Sequence, residues 1–339
     1  MTTVSICIPT YNRAAHLANC LQSIASNKGI STLDFQVCVS DNCSTDETEE
    51  VVSRAQGSVA INYQKNPKNL GIPRNFLKVV DMADGEFVWL IGDDDLLLPS
   101  ALAEIHDLIG QHPDVDFFCV NAFRLTTEYV LSFPQPFDTS NLPADMTALS
   151  SWTRSGEMRF LDLVNPDVSF DFLGGMFLSV FRRRNWLQHV NVLDEAALLD
   201  SRTFSHFDNT FPHVKIFSRA FANSRAFFSA KPLSVCLTGA REWAPMYPFV
   251  HSVRLVEALD EYRKNGLSFI KFLRYKNYAL NNFIPDFVSM LINRDRSGFV
   301  YVKPLPLILG NCLYPNFYLS FFNFFIRRLR SMVANGHGH

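Results

Sequence analysis

Over the first 123 residues, compact apolar runs alternate with longer segments whose apolar positions recur every three or four residues. VSICI (4–8) is stopped by Pro9 and reads as a buried strand, whereas Leu17, Leu21 and Ile24 of AAHLANCLQSIAS (14–26) share one helical face. FQVCVS (35–40) predicts a second strand running into DNCSTDETEEVVSRA, where Ser44 and Asp46 are suited to cap a helix. INYQ (61–64) reads as a short strand, and IPRNFLKVVDMA (72–83) as a helix with Pro73 in its first turn. EFVWLI (86–91) is a fully apolar strand, PSALAEIHDLIGQH (99–112) a helix and DFFCVNAF (116–123) a further strand. Strands separated by helices imply right-handed βαβ crossovers and an α/β fold with a mostly parallel sheet flanked by helices.

Beyond this half the pattern loosens. Residues 124–170, with PQPFDTSNLPAD, predict an insertion or an active-site loop, and FLGGMFLSVFRRRNW (172–186) a Gly-Gly turn entering a strand. From residue 250 onward the periodicity is mainly helical, through HSVRLVEALDEYRK and SFIKFLRYKNYALNNFIPDFVSMLIN, with an interruption expected at Pro285. The expected organisation is a domain over 1–245, with halves 1–123 and 124–245, and a helical region over 246–339.

In an open parallel sheet, ligands bind beyond the carboxyl ends of the strands. Polar residues collect at those ends: Thr10, Tyr11 and Asn12 after the first strand, Asp41 and Asn42 after the second, and Asp93, Asp94 and Asp95 after EFVWLI. Three adjacent carboxylates between apolar runs are most economically explained by a divalent cation. Mg²⁺ or Mn²⁺ is held by one or two carboxylates plus substrate phosphates, and it takes up charge on a departing diphosphate. The plain alternative is an exposed acidic turn capping helix 99–112; three strand ends converging on one edge favour the cation.

Composition narrows the class. The formal net charge of −2 argues against a nucleic-acid binder. Seven cysteines (7, 20, 38, 43, 119, 236, 312) include no CxxC pair, which fits a reducing compartment. The amino terminus MTTVSICIPTYNR has no basic start and no long apolar run, so a cytoplasmic protein is expected. No acidic residue follows Asp295, while FYLSFFNFFIRRLR joins aromatics to a basic cluster. No uninterrupted apolar run there reaches the ~20 residues of a span, so the stretch 305–330 reads either as a peripheral element on the inner face of the plasma membrane or as an ordinary docking helix.

VSICIPTYNR, VCVSDNCSTD and NLGIPRNFLKVVDMADGEFVWLIGDDDLLLP, in this order, resemble the nucleotide-binding half of family-2 glycosyltransferases of the GT-A fold. The resemblance covers about the first 125 residues, is looser to 250 and absent beyond. It implies that Pro9, Thr10, Tyr11 and Arg13 line the nucleotide, and that Asp41 and Asn42 stand where two aspartates usually recognise the base. Asn42 departs from that pattern, since an amide both donates and accepts. Asn69, Gly71, Arg74 and Asn75 match the segment closing over the nucleotide. Gly92-Asp93-Asp94-Asp95 matches the family's Asp-x-Asp-Asp, with glycine replacing the first acid. Asp94 then becomes the favoured metal ligand, Asp93 a ribose contact and Asp95 a supporting or alternative ligand.

An inverting transfer needs a base for the acceptor hydroxyl. Aligning Arg219 of SHFDNTFPHVKIFSRAF (205–221) with the family's downstream arginine puts Pro212-His213 where a Glu-Asp pair is usual. His213 is chemically reasonable, with an ordinary pKa of about 6.5; Asp208 is its rival and Asp200 a distant third. Gly174 and Gly175 resemble the Gly-Gly of the acceptor side, although a plain tight turn explains them equally well. In LTGAREW (237–243), Arg241 is placed at the diphosphate and Trp243 against a sugar. The resemblance implies a metal-dependent, inverting transfer from a nucleotide-diphosphate sugar to a glycan, lipid-linked in bacterial surface-polysaccharide assembly. A nucleotidyltransferase or a sugar-nucleotide-binding protein without turnover are the rivals; PTYNRAAH lacks the glycines of the former.

Overall fold

The run of apolar residues at the amino terminus forms β1 (Val4–Thr10), buried at every position because helices cover both faces of the sheet. The computed structural model describes residues 3–27, 29, 32–239 and 242–335. It divides into two compact units, Met1–Ser201 with Pro212–Arg241, and Arg202–Phe211 with Glu242–His339.

In the first unit the expected alternation is present: α1 (Ala14–Ala25), β2 (Phe35–Asp41), α2 (Thr48–Ala55), β3 (Ile61–Lys65), α3 (Ile72–Asp81) and β4 (Phe87–Leu90). After a two-residue β5 (Leu96–Leu97) come α4 (Ala101–Gln111) and β6 (Phe117–Thr126), then β7 (Thr147–Ala148), β8 (Gly156–Arg159), β9 (Ser179–Arg182) and β10 (Arg225–Thr238). Among the described residues the sheet runs β3-β2-β1-β4-β9-β6-β10-β5, with β7 on β6 and β8 on β10. It is parallel through β3-β2-β1-β4 and again at β6-β10. β9 lies antiparallel between β4 and β6. A crossover from β4 through α4 would otherwise set β6 directly beside β4.

The abundant phenylalanines build the core under this second half. Phe117, Phe181 and Trp186 surround Phe217 with ring centroids 5.0, 5.0 and 5.6 Å away, and Phe221 packs 5.2 Å from Phe117. Each fully buried ring of this kind contributes roughly 1.5–3 kcal/mol, and edge-to-face pairing adds to that. The cluster anchors the helix Pro212–Ala220, which carries His213.

The second unit is helical, through Leu255–Lys264, Phe269–Ala279, Phe283–Ile292, Pro304–Asn311 and Pro315–Asn335. Arg254, 6% exposed, explains why 202–211 belongs here: its guanidinium donates to the carbonyls of Phe204 (2.9 Å) and Ser205 (2.7 Å). The helical break expected at Pro285 falls earlier, at 280–282. Pro285 instead occupies the first turn of Phe283–Ile292, where its missing N–H leaves no bond unmade. No helix among the described residues is long and apolar enough to cross a membrane.

Candidate active site

The loop after β1 is tied to the loop after β2. Asn12 takes a left-handed φ of 51°, receives the Thr45 N–H on its side-chain oxygen (2.7 Å) and donates its own N–H to Ser44 Oγ (2.8 Å). Asp46 accepts from the N–H of Ala14 (2.9 Å) and of Thr48 (3.2 Å), so one carboxylate serves the first turns of α1 and α2. This fixes Arg13 just before α1, and Arg13 reaches the acids after β4. Its Nη1 lies 3.2 Å from Asp93 Oδ1, and its Nη2 3.1 Å from Asp94 Oδ2. Thr10 Oγ1 donates to Asp93 Oδ2 at 2.8 Å. Thr10, Arg13, Asp93 and Asp94, four residues from two strand ends, thus form one cluster.

Gly92 to Asp95 form a turn in which Gly92 N–H donates to Asp95 Oδ2 (2.8 Å) and Asp95 N–H to the Gly92 carbonyl (3.2 Å). A Cβ at position 92 would lie 2.8 Å from Asp94 Oδ1 and 3.0 Å from Asp95 Oδ2. Glycine at position 92 is therefore what lets these two carboxylates close over the backbone. Asp93, Asp94 and Asp95 are 5, 8 and 2% exposed. Burial raises the Asp93 carboxyl above its ordinary range; Arg13 pulls it back and Asp94 pushes it further. The thiol of Cys20 is likewise pushed up, by burial and then by Asp95, Asp93 and Asp94. Burial, then Arg13, holds the imidazole of His16 below its ordinary pKa, against the pull of Asp94.

Among the described residues no three His, Cys, Asp or Glu side chains converge as a complete cage. Mg²⁺ or Mn²⁺ takes one or two carboxylates and draws its remaining oxygens from substrate phosphate and water, and Asp93 and Asp94 are carboxylates of that kind at the strand end. Asp94 is paired with Arg13, and Asp95 locks the turn.

The remaining nucleotide-side residues form a scaffold. Asp41 is fully buried, accepting from Ser44 N–H and Tyr63 OH, each at 2.8 Å. Asn42 donates to Asn69 Oδ1 (2.9 Å) and accepts from Leu70 N–H (2.7 Å). An aspartate could not do both, which accounts for the amide here. Asn69 Oδ1 also accepts from the N–H of Gly71, whose φ of 82° suits glycine at the start of α3. Asn75, 3% exposed, donates to the Ser40 carbonyl (3.0 Å) and accepts from Ser40 Oγ (2.7 Å), so it ties α3 to β2. Arg74 pairs with Glu195. Pro9 lies buried near the end of β1, and Tyr11 is 42% exposed.

The Gly-Gly loop reaches the same edge by topology. β9 runs antiparallel to β4 with Trp89 opposite Val180, and Trp89 Nε1 donates to the Phe177 carbonyl at 2.9 Å. The residues that precede β9 therefore stand beside those that follow β4. Phe172 and Leu173, both fully buried, take φ of 53° and 67°; two consecutive left-handed side-chain residues are sparsely populated and costly. This turn presents the half-buried Asp171, whose Oδ1 accepts from Ser169 Oγ at 2.7 Å. A Cβ on Gly175 would lie 3.1 Å from Asp171 Oδ2, and the Gly174 N–H donates to the Asp171 carbonyl at 3.0 Å. In the sequence Asp171 is marked only as a lone carboxylate within the apolar run VSFDFLGGMF.

His213 lies behind this loop, 3% exposed, with Nε2 3.0 Å from the Gly174 carbonyl. A carbonyl only accepts, so Nε2 carries the proton in that bond. Burial lowers its pKa to about 4, against the opposing effect of the hydrogen bonds at Gly174 and Leu173. Asp200 closes the helix Glu195–Leu199. Asp208 and Trp243 belong to the second unit: Asp208 is buried on the short helix Phe207–Thr210, and Trp243 packs edge-on against Phe204 at 5.4 Å. Arg241 lies outside the described residues.

Residues 5–177, just over half of the chain, match the family model for glycosyl transferase family 2. The abequosyltransferase RfbV of Salmonella typhimurium is 29% identical over 241 residues, spanning 69% of this chain and 66% of that protein. TarS of Staphylococcus aureus, a poly(ribitol-phosphate) β-N-acetylglucosaminyltransferase, is 30% identical over 115 residues, 33% of this chain and 20% of that protein. The match thus spans between a fifth and about two-thirds of these relatives. The crystal structure of S. aureus TarS 1–349 with UDP superposes with a TM-score of 0.53 at 16% identity, covering 84% of this chain and 72% of that one. The mannosyltransferase PcManGT of Pyrobaculum calidifontis, in complex with GDP-Man and Mn²⁺, gives 0.52 at 14% identity over 94% and 83%. At these identities the structures share the fold with this chain.

Proposed function

The chain belongs to glycosyl transferase family 2, and from that premise we propose that it is a divalent-cation-dependent, inverting glycosyltransferase. It moves a sugar from a nucleotide-diphosphate donor to a hydroxyl of a glycan, lipid-linked in bacterial surface-polysaccharide assembly. The observation that supports this most directly is the meeting of Thr10, Arg13 and Asp93 to Asp95 at the sheet edge where the Asp171–Gly175 loop also lies.

Asp94 would hold the cation, which would supply positive charge to offset that of the departing diphosphate. Arg13 keeps the neighbouring carboxylates aligned, and Thr10 orients Asp93 toward the ribose. As the acceptor oxygen bonds to the anomeric carbon and the bond to the diphosphate breaks, the hydroxyl proton passes to the Asp171 carboxylate. Asp171 is preferred over His213 because it is half-buried at the edge, whereas the His213 ring is buried and bonded to Gly174. His213 then positions the turn. The missing side chain at Gly175 lets the Asp171 carboxylate and the Phe177 ring pack directly against the turn.

The second unit supplies membrane contact through 305–330. Leu305, Leu309 and Leu313 are 66, 62 and 91% exposed, and Phe322 is 61% exposed, in a stretch without acids. Sedimentation with phosphatidylglycerol vesicles, lost on Leu309→Asp with Leu313→Asp, checks this.

The activity is tested by incubating the protein with Mn²⁺ and UDP-, dTDP-, GDP- and CDP-sugars and measuring nucleoside diphosphate release. Release that is lost in Asp171→Asn is expected. Donor binding without release identifies a binding protein, and pyrophosphate release from a sugar phosphate plus nucleoside triphosphate a nucleotidyltransferase; either overturns the reading.

A further inference from the structure

β4 and β6 both lie antiparallel to β9, so they point the same way and their carboxyl ends meet one edge. Register brings the end of β6 close to the acids. Val235 pairs with Phe123 on one side and Leu96 on the other, which sets Phe123 two strand spacings, about 10 Å, from Leu96. Arg124 follows Phe123, and Asp95 precedes Leu96 on a strand of opposite direction, so both continue toward that edge. The backbone of Arg124 is held between Thr147 and Cys236 of the neighbouring strands. Its place is therefore set by the sheet.

The Arg124 side chain is exposed, and its guanidinium carbon lies 4.8 Å from the centroid of the half-buried Phe170 ring. That contact draws the cation onto the ring's π face and uses none of its five N–H donors. Among the described residues none of those donors meets an acceptor, and no carboxylate pairs with the guanidinium. Asp171 is one residue from the ring, yet its Oδ1 accepts from Ser169 Oγ instead. The seat under the guanidinium is fixed. Three residues before Phe170, the Asp167 carbonyl accepts from Trp152 N–H and from Ser150 Oγ, each at 3.0 Å, and Ser150 N–H donates to Asn121 Oδ1 of β6 at 3.0 Å. An arginine resting on an anchored ring has its planar fork pre-organised, with little side-chain freedom left to lose on binding. A neutral hydroxyl gains little from that charge, whereas a carboxylate or phosphate takes two parallel N–H bonds from the fork.

We propose that Arg124, seated on Phe170, binds an anionic group of the acceptor, a phosphate ester or a sugar carboxylate, and so selects acidic over neutral acceptors. The proposal rests on the glycosyltransferase reading, with Asp171 beside Phe170 as the base, and it names the charge class of the acceptor. The acceptor is favoured over the donor by topology: β6 stands two strands from β4 and three from β1, the strands that end in Asp93, Asp94, Thr10 and Arg13. All the residues involved belong to the first unit, so binding can be measured without turnover.

The probes are glucose 1-phosphate, glucuronate and neutral methyl glucoside, titrated into the full chain and followed by saturation-transfer NMR. At least one of the two anions is expected to bind about tenfold or more tightly than methyl glucoside, the worth of a charged hydrogen bond. Arg124→Ala should remove that advantage. A preference for glucose 1-phosphate identifies the group as a phosphate, and one for glucuronate as a sugar carboxylate. Arg124 is exposed, so its truncation should leave the unfolding midpoint unchanged. Binding of UDP, dTDP, GDP and CDP with Mn²⁺ is measured alongside and should be the same in variant and wild type. The proposal is overturned if neither anion binds more tightly than methyl glucoside, if the advantage survives in Arg124→Ala, or if Arg124→Ala weakens a nucleoside diphosphate. Failure of nucleoside diphosphate release with every donor would sink the transferase reading and leave the anion preference at Arg124 standing as a binding property.

Discussion

His213→Gln separates a neutral anchor from a proton acceptor. Glutamine keeps an N–H donor for the Gly174 carbonyl and removes the titration. In the folded chain the imidazole pKa is lowered to about 4 by burial, against about 6.5 when unfolded. Above the unfolded value neither state carries the proton, so His213 adds no pH dependence. Between the two values the unfolded chain takes up a proton that the native ring refuses, and stability is lost as pH falls. At about 1.4 kcal/mol per pKa unit, moving from pH 7 to pH 5 costs about 2 kcal/mol. Asp93, raised by burial, works in the opposite sense over the same window, since its neutral native form is favoured as pH falls. It is common to both proteins and drops out of their difference. Urea unfolding at pH 7 and pH 5 should therefore show the wild type losing about 2 kcal/mol more than His213→Gln, with equal m-values. Nucleoside diphosphate release by the variant should stay within about tenfold of wild type, as expected when no proton is transferred to this ring. Identical pH dependence in the two proteins, or abolished release with an unchanged fold, would refute the assignment of His213 as an anchor.

Asp94→Asn should reduce nucleoside diphosphate release by about 100-fold or more, because a neutral amide is a much weaker ligand for the cation that would offset the charge of the departing diphosphate. The lost ion pair with Arg13 and the relieved repulsion with Asp93 act in opposite directions on stability. Gly175→Ala places a Cβ 3.0 Å from Phe177 and 3.1 Å from Asp171; a loss of about 1–3 kcal/mol in urea unfolding is expected, together with slowed transfer. Asn42→Asp, which restores the family's usual acid, sets a carboxylate against Asn69 Oδ1 and should cost about 1–3 kcal/mol. A stabilised Asn42→Asp protein would contradict the role given to that amide.

Local pattern determined most of the nucleotide-side half. The apolar runs that became β1, β2 and β4 are continuous because both faces are covered, and the helices between them repeat at 3.6 residues, so each element is legible from its neighbours in the chain. The strand ends then identify themselves, and with them Thr10, Arg13 and Asp93 to Asp95. What the chain could not reveal depends on residues far apart in sequence. β9 enters the sheet between β4 and β6 and sets the Gly-Gly loop beside the acids; no periodicity encodes which strands become neighbours. The burial that turns His213 into a low-pKa donor comes with Phe76 and with Phe217, whose own aromatic cluster is drawn from three separate segments of the chain. The same holds for Asp208, which a five-residue separation makes a rival of His213, but which packs with the second unit. Chemistry at strand ends is written locally, because the backbone alone brings it there. Exposure, protonation and the company each side chain keeps are set by long-range packing, and they decide what that chemistry does.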